Sequence, residues 1–306
     1  MTARATFYSA TLIAAFVGVG ACDQTARVSG PSRRDENAAP APSRDPSGGS
    51  GGSGLSVPDL GTPGASDAGA PEVGPQQAVS VYAHSGSDLF RVDPTSLMLE
   101  RVGPFRYGPE DGGGFLNTVT DIAIDRAGKM VGVTFDDLLE IDKNTGICTR
   151  IASLPQSRSF NGLSWIRSEM GEETLLGTDN QGGVFRIDPM TGTATLIGDL
   201  GDNQQSSGDV VSVARYGTLI TLKGRRGEGD ILAKLDSATG TAVPIGPVGF
   251  DKVWGLGFWG NRVFGFDNTG NFLLINPETG KGELVQSATF APFWGAGVTT
   301  SAPVID

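Results

Sequence analysis

From residue 78 onward apolar and polar residues alternate in short runs, the period of strands with one face buried, and no stretch sustains the 3.6-residue period of a helix. The runs come in sets of four. In one set, Asp121 to Asp125, Met130 to Phe135, Asp137 to Asp142 and Cys148 to Ala152 predict four successive strands. Aligning the turn after each third strand exposes an internal repeat. Its copies are Leu89-Phe90-Arg91-Val92-Asp93-Pro94, Leu138-Leu139-Glu140-Ile141-Asp142, Val184-Phe185-Arg186-Ile187-Asp188-Pro189, Leu232-Ala233-Lys234-Leu235-Asp236 and Phe272-Leu273-Leu274-Ile275-Asn276-Pro277. Thr-Gly follows in the last four, ending at Gly146, Gly192, Gly240 and Gly280, whereas the first departs with Ser96-Leu97. Each residue type has its reason. Asp or Asn accepts local backbone hydrogen bonds, Pro presets φ, and Gly takes the left-handed position that ends the loop.

Spacings of 49, 46, 48 and 40 residues between the turn Asp or Asn residues match one four-stranded propeller blade each. The first set begins at Val79 to Ala83, already a second strand, and so lacks an innermost one. At the other end, Phe293 to Val298 matches the innermost strand Val253 to Phe258, and no further strands follow it. The predicted fold is therefore all-β: a five-bladed β-propeller over 78–306, closed by the C-terminal strand joining blade 1. On these turns the domain resembles bacterial β-propeller repeat proteins and, at the level of fold only, the lactonase and quinoprotein-like propellers. That resemblance implies architecture and not function, because propellers host binding, catalysis and scaffolding alike.

The chain before residue 78 follows no such pattern. Residues 1–22 hold one positive charge at Arg4, an apolar stretch from Ala10 to Val19 too short to span a membrane, and then Val19-Gly20-Ala21-Cys22. This resembles a bacterial lipoprotein signal peptide, which implies lipidation of Cys22 and an extracytoplasmic protein anchored to a bacterial membrane, at the periplasmic face or the cell surface. Residues 23–77 contain 10 Gly, 8 Pro, 8 Ser and 7 Ala and no aromatic residue, a composition that cannot offset its own ordering entropy. They are expected to form a disordered tether with a reach of roughly 40 Å.

Charge and composition narrow the function. The net charge of −11, of which −9 lies in 78–306, argues against a phosphate backbone as partner, so no nucleic acid is expected. A single His and two Cys exclude most transition-metal sites and Cys/His nucleophilic pairs. With Cys22 lipidated, Cys148 stands alone in an apolar segment and reads as a small core residue. The domain is expected to be monomeric and to need no cofactor, with calcium the one ion to consider.

Aligning the five innermost strands puts Asp121, Asn161, Asp209, Trp254 and Trp294 at one equivalent position near the channel mouth, with small residues such as Gly162, Gly255 and Gly295 beside them. Three readings are open. The polar side chains satisfy backbone donors while the indoles plug the axis; or the ring is a mouth that binds a glycan, another small molecule or a protein partner; or Asp121, Asn161 and Asp209 hold calcium. The binding mouth is the reading adopted, with a structural envelope scaffold third. A hydrolase of lactonase or glycosidase type using Asp121 and Asp209 is the alternative, but no Glu joins the ring and His84 would have to serve any Ser/His/Asp triad. His84 itself is expected to end its strand as an exposed or hydrogen-bonded residue, and Ser164 lacks the second Gly of a nucleophile elbow. Two loops share the mouth face by propeller connectivity: Lys223 to Gly229, with three positive charges, and Pro104 to Asn117, with Phe105, Tyr107 and Phe115.

Overall fold

The computed structural model describes residues 80–304 except 156, 169, 214–215 and 288–291. The signal peptide, Cys22 and the tether lie outside the described residues. Blade 1 comprises β1 (Val81–His84), β2 (Asp88–Val92) and β3 (Leu99–Pro104), followed by a short β4 (Arg106–Tyr107). Blade 2 is β5 (Asp121–Ile124), β6 (Met130–Val133), β7 (Asp137–Ile141) and β8 (Ile147–Ser153). Blade 3 is β9 (Phe160–Arg167), β10 (Glu173–Asp179), β11 (Gly183–Ile187) and β12 (Ala194–Asp199). Blade 4 is β13 (Ser206–Val213), β14 (Gly217–Leu222), β15 (Ile231–Leu235) and β16 (Ala242–Pro247). Blade 5 is β17 (Val253–Trp259), β18 (Arg262–Asp267), β19 (Asn271–Ile275) and β20 (Gly282–Ser287).

The ring closes as the repeat predicts. β21 (Gly295–Gly297) pairs antiparallel with β1, Ala83 opposite Ala296, and supplies the missing innermost strand of blade 1. Innermost strands touch in the order β5, β9, β13, β17, β21 and back to β5. Beyond β21 the chain crosses the end of the axis away from the strand starts. Thr299 Oγ1 donates to Asp125 O at 2.8 Å, Thr300 Oγ1 donates to Glu173, and Gly260 N–H donates to Pro303 O at 3.0 Å.

The turns repeat at atomic detail. Asp93, Asp142, Asp188, Asp236 and Asn276 each accept, at 2.8–2.9 Å, a hydrogen bond on one side-chain oxygen from the backbone N–H two residues on. Four residues after each, the N–H returns to the same residue's carbonyl at 2.8–2.9 Å. That fourth residue is left-handed in every copy: Gly in four, and Leu97 at φ 59° in the first. Blade 1 thus keeps the turn without the glycine that makes it cheap.

Between blades lies an apolar core, richest in aromatic residues at the seam of blades 5 and 1. Phe266 stacks on Phe272 with centroids 4.9 Å apart and meets Phe293 edge-on at 5.3 Å. Cys148 packs in the seam of blades 1 and 2 beside Phe105 and Ile122. Its thiol donates to Gly146 O, and burial pushes its pKa up to about 12, so it is a core residue as expected. The Pro104 to Asn117 loop is less exposed than its composition suggests. Phe105 is buried, Tyr107 O–H donates to Asp137 at 3.0 Å, and β4 adds a parallel fifth strand to blade 2. Only Phe115 of its three aromatic residues stands free, 78% exposed.

Candidate functional site

An innermost strand pairs along one edge with its second strand and turns the other toward the axis, where its N–H groups need acceptors. Two ring residues supply them. Asp121 Oδ1 accepts the N–H of Ile122 at 2.8 Å, and Oδ2 accepts that of Leu163, in the next blade, at 2.6 Å. Asp209 repeats the arrangement two blades on: Oδ1 accepts from Val210 at 2.6 Å, and Oδ2 accepts from Leu256 at 2.6 Å and Ala296 at 3.2 Å. Both residues are fully buried, and their carboxyls are hydrogen-bonded to each other. Burial first, and then the neighbouring Asp209 charge, holds the Asp121 carboxyl well above the usual range; burial raises Asp209 as well. Two carboxyls in contact without water cannot both ionise, so the pair holds at least one proton at neutral pH.

His84 lies against this pair. It is completely buried, not at an exposed strand end, and its Nδ1–H donates to Ser85 O at 2.8 Å. Nε2 therefore carries the lone pair and lies 3.7 Å from Asp121 Oδ1, with no hydrogen-bond partner among the described residues. Burial pushes the imidazole pKa down to about 4, so the ring is neutral. Gly295 makes the approach possible: a Cβ there would collide with His84 Nε2 and Asp121 Oδ1. Gly208 has the same role against the Trp254 backbone.

The other three ring residues turn to the mouth. Trp254, Trp294 and Asn161 line a cavity of about 300 Å³ together with Phe135, Asn180 and Lys223, and Thr120, Ser207 and Gly208 complete its wall. Asn161 Oδ1 is buried and has no hydrogen-bond partner among the described residues. Thr120 Oγ1 donates to Val133 O at 3.2 Å, and Ser207 Oγ donates to Asp230 at 2.6 Å. Lys252 Nζ stands 6.0 Å over the Trp254 ring. One sequence position thus yields two layers, an acceptor pair within the axis and a partly aromatic cavity at its mouth. No group of three His, Cys, Asp or Glu among the described residues is placed to hold a metal ion. Ser164 Oγ donates to the carbonyl of Trp165 at 3.3 Å.

Sequence reasoning missed Phe135 and Asn180 as cavity residues, and placed Lys223 only on a basic loop. All three closely follow the second strands of blades 2, 3 and 4, so aligning the ends of second strands as well as the starts of first strands would have brought them together.

No family model matches the chain, and no curated protein does. Among solved structures it is similar to a protein of unknown function from Bacteroides caccae, at 9% identity, with 70% of this chain and 73% of that one covered and a TM-score of 0.39. A second, of unknown function from Bacteroides thetaiotaomicron, is 16% identical over 66% of this chain and 55% of that one, with a TM-score of 0.39. The computationally designed Ika8 protein is 14% identical over 72% of this chain and 62% of its own, with a TM-score of 0.32.

Proposed function

We propose that the propeller is an extracytoplasmic binding module, held to a bacterial membrane by lipid on Cys22 and carried on the 23–77 tether, that takes a small ligand or glycan into the mouth cavity. The observation that carries this reading is the division of the ring. The two carboxyls a hydrolase would use are consumed by backbone N–H groups and by each other, out of the cavity, whereas both indoles line it. Paired carboxyls that hydrolyse a glycoside must flank an open site at about 5 to 10 Å, with a water or sugar between them. Indole faces beside a few polar groups suit recognition instead.

Tryptophan fluorescence of the purified chain, screened against neutral, acidic and basic sugars and small molecules, tests the binding role. A ligand that quenches the wild type and fails with Trp254→Ala and Trp294→Ala supports it; silence across the whole panel removes it. For the anchor, Cys22→Ser is expected to shift the protein from the membrane to the soluble fraction, and unchanged partition would end the lipoprotein reading.

A further inference from the structure

The polar groups of the mouth are unequal, and their imbalance describes a ligand. The Thr120 and Ser207 hydroxyl protons are committed to Val133 O and Asp230, so both oxygens have only lone pairs left to offer. Asn161 also lines the cavity, but its Oδ1 is turned into the protein, buried and without a donor among the described residues. The two hydroxyl oxygens call for a molecule that brings O–H donors. The charge at the cavity is of one sign: Lys223 is in the wall, Lys252 overlies Trp254, and no carboxylate is among the lining residues. Asp230, behind the wall, is buried and engaged by Ser207 and by the Val253 N–H at 2.7 Å. A cationic ligand would meet two ammonium groups and find one indole face already occupied by a cation.

From this acceptor-rich, positively charged and aromatic lining we infer that the mouth binds an acidic sugar, a single pyranose unit bearing a carboxylate, either free or at the end of a glycan. The inference rests on the binding role proposed above. A pyranose stacks its C–H face on Trp254 or Trp294, gives hydroxyl protons to Ser207 and Thr120, and places its carboxylate at Lys223. At about 300 Å³ the cavity is at the small end of ligand pockets, which favours one ring over an extended chain. Among the described residues Lys223 Nζ donates to Gln205 Oε1 at 3.3 Å and forms no ion pair.

The test is a fluorescence titration of the full chain with D-glucuronic and D-galacturonic acid, the methyl esters of both, and tetragalacturonate with its methyl-esterified form. The acids are expected to bind on the order of tenfold or more tighter than the esters, the difference a charge-assisted contact makes. Lys223→Gln should abolish that preference while Trp254→Ala weakens acid and ester alike. Tighter binding of tetragalacturonate than of the monomers would identify a glycan end as the target, and equal affinity a free sugar acid. Acids and esters binding equally, or Lys223→Gln leaving the preference intact, overturns the acidic-sugar inference but keeps the mouth as a binding site. Response only to neutral, basic or apolar compounds in the wider screen has the same meaning, and no response to any compound removes both readings.

Discussion

Asp209 Oδ2 accepts the backbone N–H of Ala296, 87 residues away in the chain, and so ties the axis of the propeller to the strand that closes it. The same oxygen holds Leu256 in blade 5, and Oδ1 holds Val210 in its own strand. Asp209→Ala therefore strands three buried N–H groups and the Asp121 carboxyl. At about 1 to 3 kcal/mol for each unsatisfied group, the expected loss is about 3 kcal/mol or more in urea denaturation. A loss below about 1 kcal/mol would show that the carboxyl does not serve the strands. Asp209→Asn keeps one acceptor oxygen and should fall between.

The protons held by Asp121 and Asp209 give stability a direction in pH. Both carboxyls are raised by burial, so their contribution is complete below the ordinary carboxylate range and is lost as pH rises through the folded value. His84 runs the other way: lowered by burial from 6.5 to about 4, it contributes fully above 6.5 and loses stability as pH falls toward 4. Between about 4 and 6.5 the protons held by the raised carboxyls oppose the proton that the unfolded chain holds on His84, so the two trends offset each other. Above 6.5 only the carboxyls act, and stability should fall as pH rises, by about 1.4 kcal/mol per pH unit for each proton held. Melting temperatures at pH 5.5 and 8.5 decide it; an equal or higher value at pH 8.5 would mean that the folded pair holds no extra proton.

How the ring divides was not legible from alignment, and chemistry gives the reason. Equivalent positions fix where a Cα lies but not which need its side chain answers. A carboxylate is short and accepts several N–H bonds, so bare strand edges along the axis draw it inward; an indole has one donor, no acceptor and too much volume, so it turns outward. The blade count, the turns and the closure by Phe293 to Val298 were legible because a glycine or aspartate recurring at a fixed interval leaves few alternatives. β4 was not, since two residues carry no period and its partner, β8, comes from the next blade.

Gly295 should tolerate no side chain. Its Cβ would meet His84 Nε2 and Asp121 Oδ1, neither at the end of a flexible arm, and its backbone passes against Gly255 of blade 5. Gly295→Ala is expected to lower the melting temperature sharply or to give an aggregating protein with the inner edge of β1 unpaired. A soluble, wild-type-like melt would place His84 and Asp121 elsewhere than described.

Cys148 offers a probe of the blade 1 and 2 seam. In the full chain carrying Cys22→Ser, a thiol raised to about 12 by burial should resist alkylation at pH 8 and react stoichiometrically in urea. Fast labelling of the native protein would mean that the seam opens on the reaction timescale.

Adjacent residues separate packing from recognition. Phe293 is fully buried, edge-on to Phe90 at 6.0 Å and to Phe266 at 5.3 Å, whereas Trp294 is half-buried and faces the mouth cavity, as Trp254 does. Phe293→Ala leaves a cavity in the seam and should cost about 3 to 5 kcal/mol. Trp294→Ala and Trp254→Ala remove rings that keep one side open, where truncation forfeits less buried area and leaves no closed void; each should cost less than about 2 kcal/mol. Thermal and urea melts of the three variants need no ligand. A loss at either Trp as large as at Phe293 would mean that the indoles plug the axis, and the mouth would then be a packed end of the core and not a place where a sugar can enter.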